Sequence, residues 1–138
     1  MSRDRIELGR GAVDAWNRRD VDWVIANCVP EMEFVPAVAG SVEGEERRTV
    51  RGADGIRRFF ADLEETWERF EVEVQEYREV EDALVVVCRI HAKGRGSGLE
   101  LDQPMAMVSW FRDDKFARAQ SFLDLDEALQ AAREGVVV

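Results

Sequence analysis

The chain has 138 residues, of which 46% are hydrophobic and 35% are charged, and its formal net charge is −10. The length predicts one domain over residues 1–138, and the composition is typical of a folded chain rather than a disordered one. The acidic surface disfavours nucleic acid and anionic membranes as partners, and no apolar run reaches the roughly 18 residues that a membrane helix needs.

The N-terminal part of the sequence predicts two helices. Its first ten residues, MSRDRIELGR, contain no apolar core, so we expect no signal peptide and a cytoplasmic location. Apolar side chains up to Trp16 fall near one helical face, which predicts a helix over residues 3–18. Asp20 can cap a second short helix, whose apolar stripe covers residues 21–28 and which Pro30 ends.

The clearest helical pattern follows a short strand and a loop. The strand is predicted over residues 32–35, and residues 37–51 combine glycine, serine and charge as a loop does. The helix is predicted over residues 53–68. Its apolar stripe consists of Ile56, Phe59, Phe60, Leu63 and Trp67.

After Trp67 the hydrophobic period changes from 3.6 to 2. Phe70, Val72 and Val74 alternate with acidic residues and predict a half-buried strand. Three more strands and a last helix follow, over residues 83–93, 99–111 and 116–123 and from Asp124 to Gly135. Helices that precede a run of antiparallel strands indicate an α+β fold, with the helices on one face of a curved sheet.

The cysteines and histidine argue against a metal centre. Cys28 and Cys88 lie far apart in apolar patterns, so the sequence predicts buried free thiols in a reducing compartment. A single histidine and two scattered cysteines do not provide a transition-metal site, and the common phosphate-binding and nucleophile motifs are missing from the sequence. We therefore expect neither a metal nor a cofactor.

Three local motifs carry a family resemblance that covers about residues 3–134. They are NRRDVD at 17–22, VRGADGIRRFF at 50–60 and FRDDKF at 111–116. In this order and at these separations they resemble the nuclear transport factor 2-like superfamily and, within it, the SnoaL-like group. One departure is Asp114, where the family usually has glycine, although aspartate tolerates the positive φ of such a turn.

The resemblance implies a cone-shaped fold and leaves the function open. A curved antiparallel sheet, as in the cystatin-like roll, would wrap around the N-terminal helices and leave an apolar pocket open at one end. Members of the superfamily include ketosteroid isomerases, polyketide cyclases, limonene epoxide hydrolases, dehydratases and pockets without chemistry, so the fold alone does not decide the activity. Relatives commonly pair through the outer face of the sheet, which favours a homodimer.

The positions of known catalytic groups in the superfamily hold unsuitable residues here. By approximate register, the carboxylate base and the oxyanion tyrosine of ketosteroid isomerases fall at Pro36 and Ala12. The last-strand aspartate of limonene epoxide hydrolases falls at Ser121, and their Arg-x-Asp pair falls at Arg89 and His91. Both activities, in those forms, are therefore disfavoured.

Arg89 and His91 are the leading candidates for catalysis. Side chains alternate along a strand, so both share a face with Val85 and Val87. If that face lines the cone, the guanidinium can hold a carboxylate or enolate and the imidazole can exchange a proton near neutral pH. In the competing interpretation, both residues leave the core where the strand nears a polar turn, and Arg89 pairs with a neighbouring acid.

Other residues are predicted to contact a ligand. Trp16 and Trp67 belong to apolar helical stripes, and in a cone the core surrounds the pocket, while Ser121 can supply a hydrogen bond. Met105 and Met107 share one strand face and suit an adaptable pocket wall or a dimer seam.

These patterns predict a pocket protein for a small, largely apolar molecule with one carbonyl or carboxylate group. If the protein is an enzyme, we expect a cofactor-free isomerase, cyclase or dehydratase. The alternative is a non-catalytic ligand-binding or dimerising module. A homodimer is also favoured because Phe116 and Phe122 need cover if the smaller residues of the last strand line the cone.

Overall fold

The structure is a computed structural model that describes residues 4–37 and 49–135. The helices of this part are α1 (Arg5–Arg18), α2 (Val21–Ala26), α3 (Gly52–Thr66) and α4 (Leu125–Glu134). Its strands are β1 (Cys28–Val35), β2 (Val50–Arg51), β3 (Trp67–Val80), β4 (Ala83–Gly94), β5 (Glu100–Arg112) and β6 (Lys115–Phe122).

The strands form a mixed sheet in the order β2-β1-β6-β5-β4-β3. Neighbouring strands are antiparallel except β1 and β6, which run parallel. The predicted α+β class and the run of four antiparallel strands after the third helix are confirmed. The parallel pair was not predicted, because most of the chain separates its two strands and such a pairing leaves no local pattern.

The first motif attaches the end of α1 to the edge of the sheet. The Asn17 side-chain amide donates to the Val72 carbonyl and accepts from the Val72 N–H, both at 2.9 Å. Since β3 is an edge strand, this amide satisfies backbone groups that have no neighbouring strand. Arg19 takes a left-handed conformation with φ of 60°, and its guanidinium donates to the carbonyls of Trp16 and Phe70. These bonds fix the position of Trp16 against the sheet.

The second and third motifs lie where the chain reverses direction. Gly52 has a φ of +65° and begins α3 directly after β2. Asp113 and Asp114, between β5 and β6, have φ values of 55° and 63°, which agrees with the conformation predicted for Asp114. Both positions require backbone angles that most residues disfavour, so the motifs mark places where the fold restricts the residue type.

The predicted second helix is wrong at its C-terminal end. The helix ends at Ala26, and β1 begins at Cys28 and runs through Pro30. Long-range pairing decides this boundary, because Cys28 pairs with Phe116, whose N–H donates to the Asn27 carbonyl at 2.9 Å. Of the loop predicted over residues 37–51, residues 38–48 lie outside the described residues, and residues 50–51 form β2 instead.

Both faces of the sheet bury apolar residues, but under different helices. The inner face packs against α1 and α3 and contributes Leu84, Cys88 and Ile90 to the main core. The outer face contributes Val85 and Val108 to a smaller cluster that α4 covers. The sequence predicted helices on one face only, and α4 departs from that expectation. Its contact with the sheet is made by Ala128 and Ala132.

Candidate functional site

A cavity of about 120 Å³ lies between the inner face of the sheet and helices α1, α2 and α3. Every described strand contributes to its wall, which brings together residues from most of the chain. This volume is somewhat below the roughly 150 Å³ of a dry apolar cavity that holds benzene, so the space is of the order that a small ligand needs. Gly9, Ala12, Met32, Ile56, Met105 and Met107 are among its lining residues.

Aromatic rings form one side of the cavity around Trp16. The Trp16 ring lies 5.0 Å from Phe60, 5.7 Å from Phe59, 6.2 Å from Phe70 and 6.5 Å from Phe34 between centroids. All five rings line the cavity, and their planes meet at angles of 51° to 79° with Trp16. Tilted and edge-on contacts of this kind hold aromatic side chains in defined positions. The wall is therefore an ordered apolar surface.

The few polar atoms of the wall are uncharged. Ser109 and Ser121 are 3% and 2% exposed, and the Ser121 Oγ accepts from the Ala37 N–H at 2.7 Å. Burial raises the pKa of the Cys28 thiol to about 11 and that of Cys88 to about 12, so both are protonated at neutral pH. None of the lining residues within 4–37 and 49–135 carries a carboxylate, imidazole, amine or guanidinium.

Arg89 and His91 lie on the outer face of the sheet, so the prediction that they stand over the cavity is wrong. They share a face with Val85 and Val87 as predicted, but this face packs against α4 where it is apolar. The alternation was correct and the choice of face was not. Apolar residues occupy both faces of the first half of β4, so the pattern does not reveal which face is inside. On β4 the cavity is lined by Leu84, Val86 and Cys88.

Contacts with acidic side chains account for both residues. The Arg89 guanidinium donates to the Asp102 carboxylate, which is the kind of contact that the competing interpretation predicted. The His91 Nε2 lies 2.7 Å from Glu73 Oε1, and its Nδ1 lies 3.9 Å from Asp102 Oδ1. The Glu73 and Asp102 side chains are 64% and 60% exposed, so these contacts lie at the surface. The catalytic hypothesis required Arg89 and His91 to face the cavity, and they do not.

The predicted ligand-contact residues divide into two groups. Trp16 and Ser121 line the cavity, whereas Trp67 is not part of the described wall and packs on Phe70, with 5.8 Å between ring centroids. Contact of these side chains with a ligand stays a prediction. Ser109 also lines the cavity and was not predicted to do so, although the alternation that joins Met105 and Met107 continues to it.

Two catalytic positions implied by the resemblance do face the cavity. Pro36 and Ala12, at which the resemblance places the base and the tyrosine of ketosteroid isomerases, both line it. On β4 the cavity is lined by Val86 and Cys88 and not by Arg89 and His91. The correspondence with the catalytic positions of relatives stays a prediction.

The two phenylalanines of β6 are covered within the chain. Phe116 lines the cavity and lies 4.9 Å from the Phe111 ring, while Phe122 packs in the cluster under α4. A register shift between Trp110 and Phe111 interrupts the simple alternation of faces that the sequence predicted. Uncovered phenylalanines are thus no longer a reason for dimerisation, and the homodimer stays a prediction.

The described residues contain neither a metal-binding cluster nor a membrane-spanning helix. No group of three or more histidine, cysteine, aspartate or glutamate side chains there could hold a metal ion. No described helix is long and apolar enough to cross a membrane.

The sheet and the helices that pack on it adopt the fold of nuclear transport factor 2-like proteins. A family model of the SnoaL-like domain matches residues 10–119, so the chain belongs to the SnoaL-like domain family. A search of the curated proteins found no match to the sequence.

Solved structures of similar fold cover nearly the whole chain. A nuclear transport factor 2-like protein of unknown function from Burkholderia pseudomallei is 18% identical, with a TM-score of 0.75 and coverage of 91% of this chain and 94% of that one. TerC, co-crystallised with polyporic acid, is 20% identical, with a TM-score of 0.74 and coverage of 91% and 97%. A putative SnoaL-like polyketide cyclase from Jannaschia is 21% identical, with a TM-score of 0.71 and coverage of 96% and 97%. At these identities the likeness establishes the fold.

Proposed function

We propose that this protein is a non-catalytic ligand-binding module, which binds a small, uncharged, largely apolar molecule in the cavity. The observation that supports this is the described wall, in which aromatic and aliphatic side chains surround two hydroxyls and two protonated thiols. Pockets for small molecules are typically apolar with a few polar groups that fix orientation.

The lining favours a neutral ligand over the carboxylate that the sequence analysis also allowed. A carboxylate that enters this cavity loses its hydration, and the described wall offers no cation in return. Arg89, which was expected to hold such an anion, pairs with Asp102 on the other face of the sheet. A ligand with an aromatic or aliphatic body loses little hydration energy on leaving water, and it gains contacts with the aromatic rings around Trp16.

Catalysis as an isomerase, cyclase or dehydratase is the second candidate. The fold neighbour named as a putative SnoaL-like polyketide cyclase favours it, and so do the two hydroxyls in the wall. Each of those reactions needs a group that accepts a proton at neutral pH, as a carboxylate or imidazole does. Serine hydroxyls and thiols with raised pKa values are poor bases, which is why we place binding first.

A titration with α-methylstyrene, a neutral molecule with one aromatic ring, tests binding. We expect saturable binding by isothermal calorimetry, and we expect Ala119→Phe, which fills the cavity from β6, to weaken it by about tenfold or more. Ala61→Phe makes the same change at an exposed position of α3 and should leave the affinity unchanged. The proposal is wrong if the parent chain binds neither α-methylstyrene nor acetophenone, a neutral ketone of nearly the same shape, or if Ala119→Phe binds as the parent does.

Deuterium exchange separates binding from catalysis. The methyl protons next to the carbonyl of acetophenone exchange with D₂O when a base removes them, and NMR follows the loss of signal. A binding module leaves this rate at the buffer value. A faster rate with the parent protein that Ala119→Phe abolishes would instead support the enzymatic candidate.

A further inference from the structure

The largely apolar cavity wall carries two hydroxyl groups, which lie on neighbouring strands. Ser109 of β5 pairs across the sheet with Ala119, and Ser121 of β6 pairs with Met107. The two serines are therefore diagonal neighbours on one face, where backbone positions are about 7–8 Å apart and side chains somewhat closer. This distance lets one small polar group of a ligand reach both hydroxyls.

The hydrogen bonds of the two serines leave donors available. The Ser121 Oγ accepts from the Ala37 N–H at 2.7 Å, so its own proton is not used in that bond. No hydrogen bond joins the Ser109 hydroxyl to another residue of the described part of the chain, and Ser109 lines the cavity. The Trp16 indole N–H, on the same wall, is fully buried and also lacks a partner among the described residues. Buried hydroxyls normally have partners, because an unsatisfied one destabilises the protein. A ligand oxygen atom in the cavity could accept a hydrogen bond from the Ser109 hydroxyl.

We propose that Ser109 and Ser121 select, among the small apolar molecules that enter the cavity, those with a neutral hydrogen-bond acceptor such as a ketone or ester carbonyl, and orient them by that group. This inference rests on the proposed binding function and adds to it the chemical class of the ligand. Two hydroxyl donors suit a carbonyl oxygen, which accepts two hydrogen bonds. A molecule without an acceptor leaves the Ser109 hydroxyl unsatisfied, and a carboxylate lacks a counter-charge in the described wall.

Three probes of nearly the same shape test this selection. Acetophenone carries a ketone, α-methylstyrene replaces the ketone oxygen by a CH₂ group, and benzoate replaces the methyl group by an anionic oxygen. We expect the parent protein to bind acetophenone about three to ten times more tightly than α-methylstyrene, and benzoate most weakly, by calorimetry. The carbonyl stretch of bound acetophenone should also shift to lower frequency than in hexane, because hydrogen bonds weaken the C=O bond.

The variants Ser109→Ala and Ser121→Ala should each reduce the preference for acetophenone and leave the affinity for α-methylstyrene within about twofold of the parent. Ser109→Cys keeps the side-chain size with a weaker donor and serves if the alanine variant does not fold. Ser97→Ala, a serine change in the exposed turn between β4 and β5, should leave the preference intact.

The outcomes separate the two proposals. If α-methylstyrene and acetophenone bind the parent equally, or if both serine variants keep the full preference, the selection is disproved while the binding function stands. Tighter binding of benzoate than of acetophenone would also disprove it. If none of the three probes binds, the binding function fails, and the inference fails with it.

Discussion

The two faces of β4 differ in how their burial is achieved. Toward α1 and α3, Leu84, Cys88 and Ile90 remain apolar along the strand, and all are at most 1% exposed. Toward α4, the strand is apolar only as far as Val87, and the next side chains on that face, Arg89 and His91, pair with acids at the surface. The inner face is covered along its length, whereas the outer face is covered only where α4 lies.

This difference shows why a polar pair on a strand is an ambiguous sign of a site. Arg89 and His91 follow Val85 and Val87 with correct alternation, as residues on a pocket floor would. They are polar, however, because the helix that covers the outer face does not extend over them. The cavity itself is lined by uncharged residues in the described part of the chain. Such residues are not recognised from sequence as candidates for catalysis.

The largest contrast between the faces is expected in stability. Ile90 is fully buried on the inner face and does not line the cavity, so its atoms are closely packed. Ile90→Ala should lower the free energy of unfolding by about 2–5 kcal/mol, since removal of buried methyl groups leaves an unfilled space. Urea denaturation measures the change. A loss below about 1 kcal/mol would contradict the close packing of this face.

The same contrast explains which parts of the structure could be predicted from sequence. Patterns local to an element, such as the stripe of α3 or the alternation of β3, gave the element types and the α+β class. The parallel pairing of β1 with β6 and the start of β1 at Cys28 depend on contacts with distant segments. Which face of β4 is turned toward the cavity depends on where α1 and α4 pack on the sheet. The local pattern does not contain this information, so the candidate site residues on that strand were assigned to the wrong face.

A second test compares glycines of the inner helices. Gly9 of α1 lies so close to the sheet that an added Cβ would sit 2.6 Å from Leu84 Cδ2, and Leu84 is fully buried. Overpacking by the new methyl group should lower the free energy of unfolding by about 1–3 kcal/mol. The higher helix propensity of alanine raises it by only about 1 kcal/mol, so we expect Gly9→Ala to lower stability.

Gly55→Ala in α3 is the matched control for Gly9→Ala. Its Cβ would lie 3.3 Å from Val50 Cγ1, a half-buried side chain that can shift slightly. Stability should therefore stay constant or rise by up to about 1 kcal/mol. Equal thermal midpoints for Gly9→Ala and Gly55→Ala would show that α1 does not approach β4 as closely as described.

Titration with base gives a third contrast, because the inner face holds thiols whose pKa values are raised. Burial raises the pKa of Cys28 from 9.0 to about 11 and that of Cys88 from 9.0 to about 12. A thiol that ionises less readily when folded stabilises the protein below pH 9, and this contribution is lost as the pH rises toward the folded pKa. Between pH 8 and pH 10 we expect a loss of about 1 kcal/mol for each thiol.

Denaturation curves of the parent and Cys88→Ala at pH 8 and pH 10 check this expectation. The variant should lose less stability than the parent over that interval. Some loss should persist in the variant, because Cys28 remains and burial also raises the pKa of Tyr77. Equal losses in the two proteins would show that Cys88 titrates as an exposed thiol does.

The smallest effects are expected at the surface end of the outer face. Arg89→Ala removes the contact with Asp102, and His91→Ala removes the contact with Glu73, and all four side chains are at least 32% exposed. Exposed ion pairs contribute about 0–1 kcal/mol, so neither change should lower the free energy of unfolding by more than that. Both variants should also bind α-methylstyrene and acetophenone as the parent does, because neither residue reaches the cavity. The assignment of the two faces would be reversed if both variants bound acetophenone about tenfold more weakly with unchanged stability. Arg89 and His91 would then belong to the site.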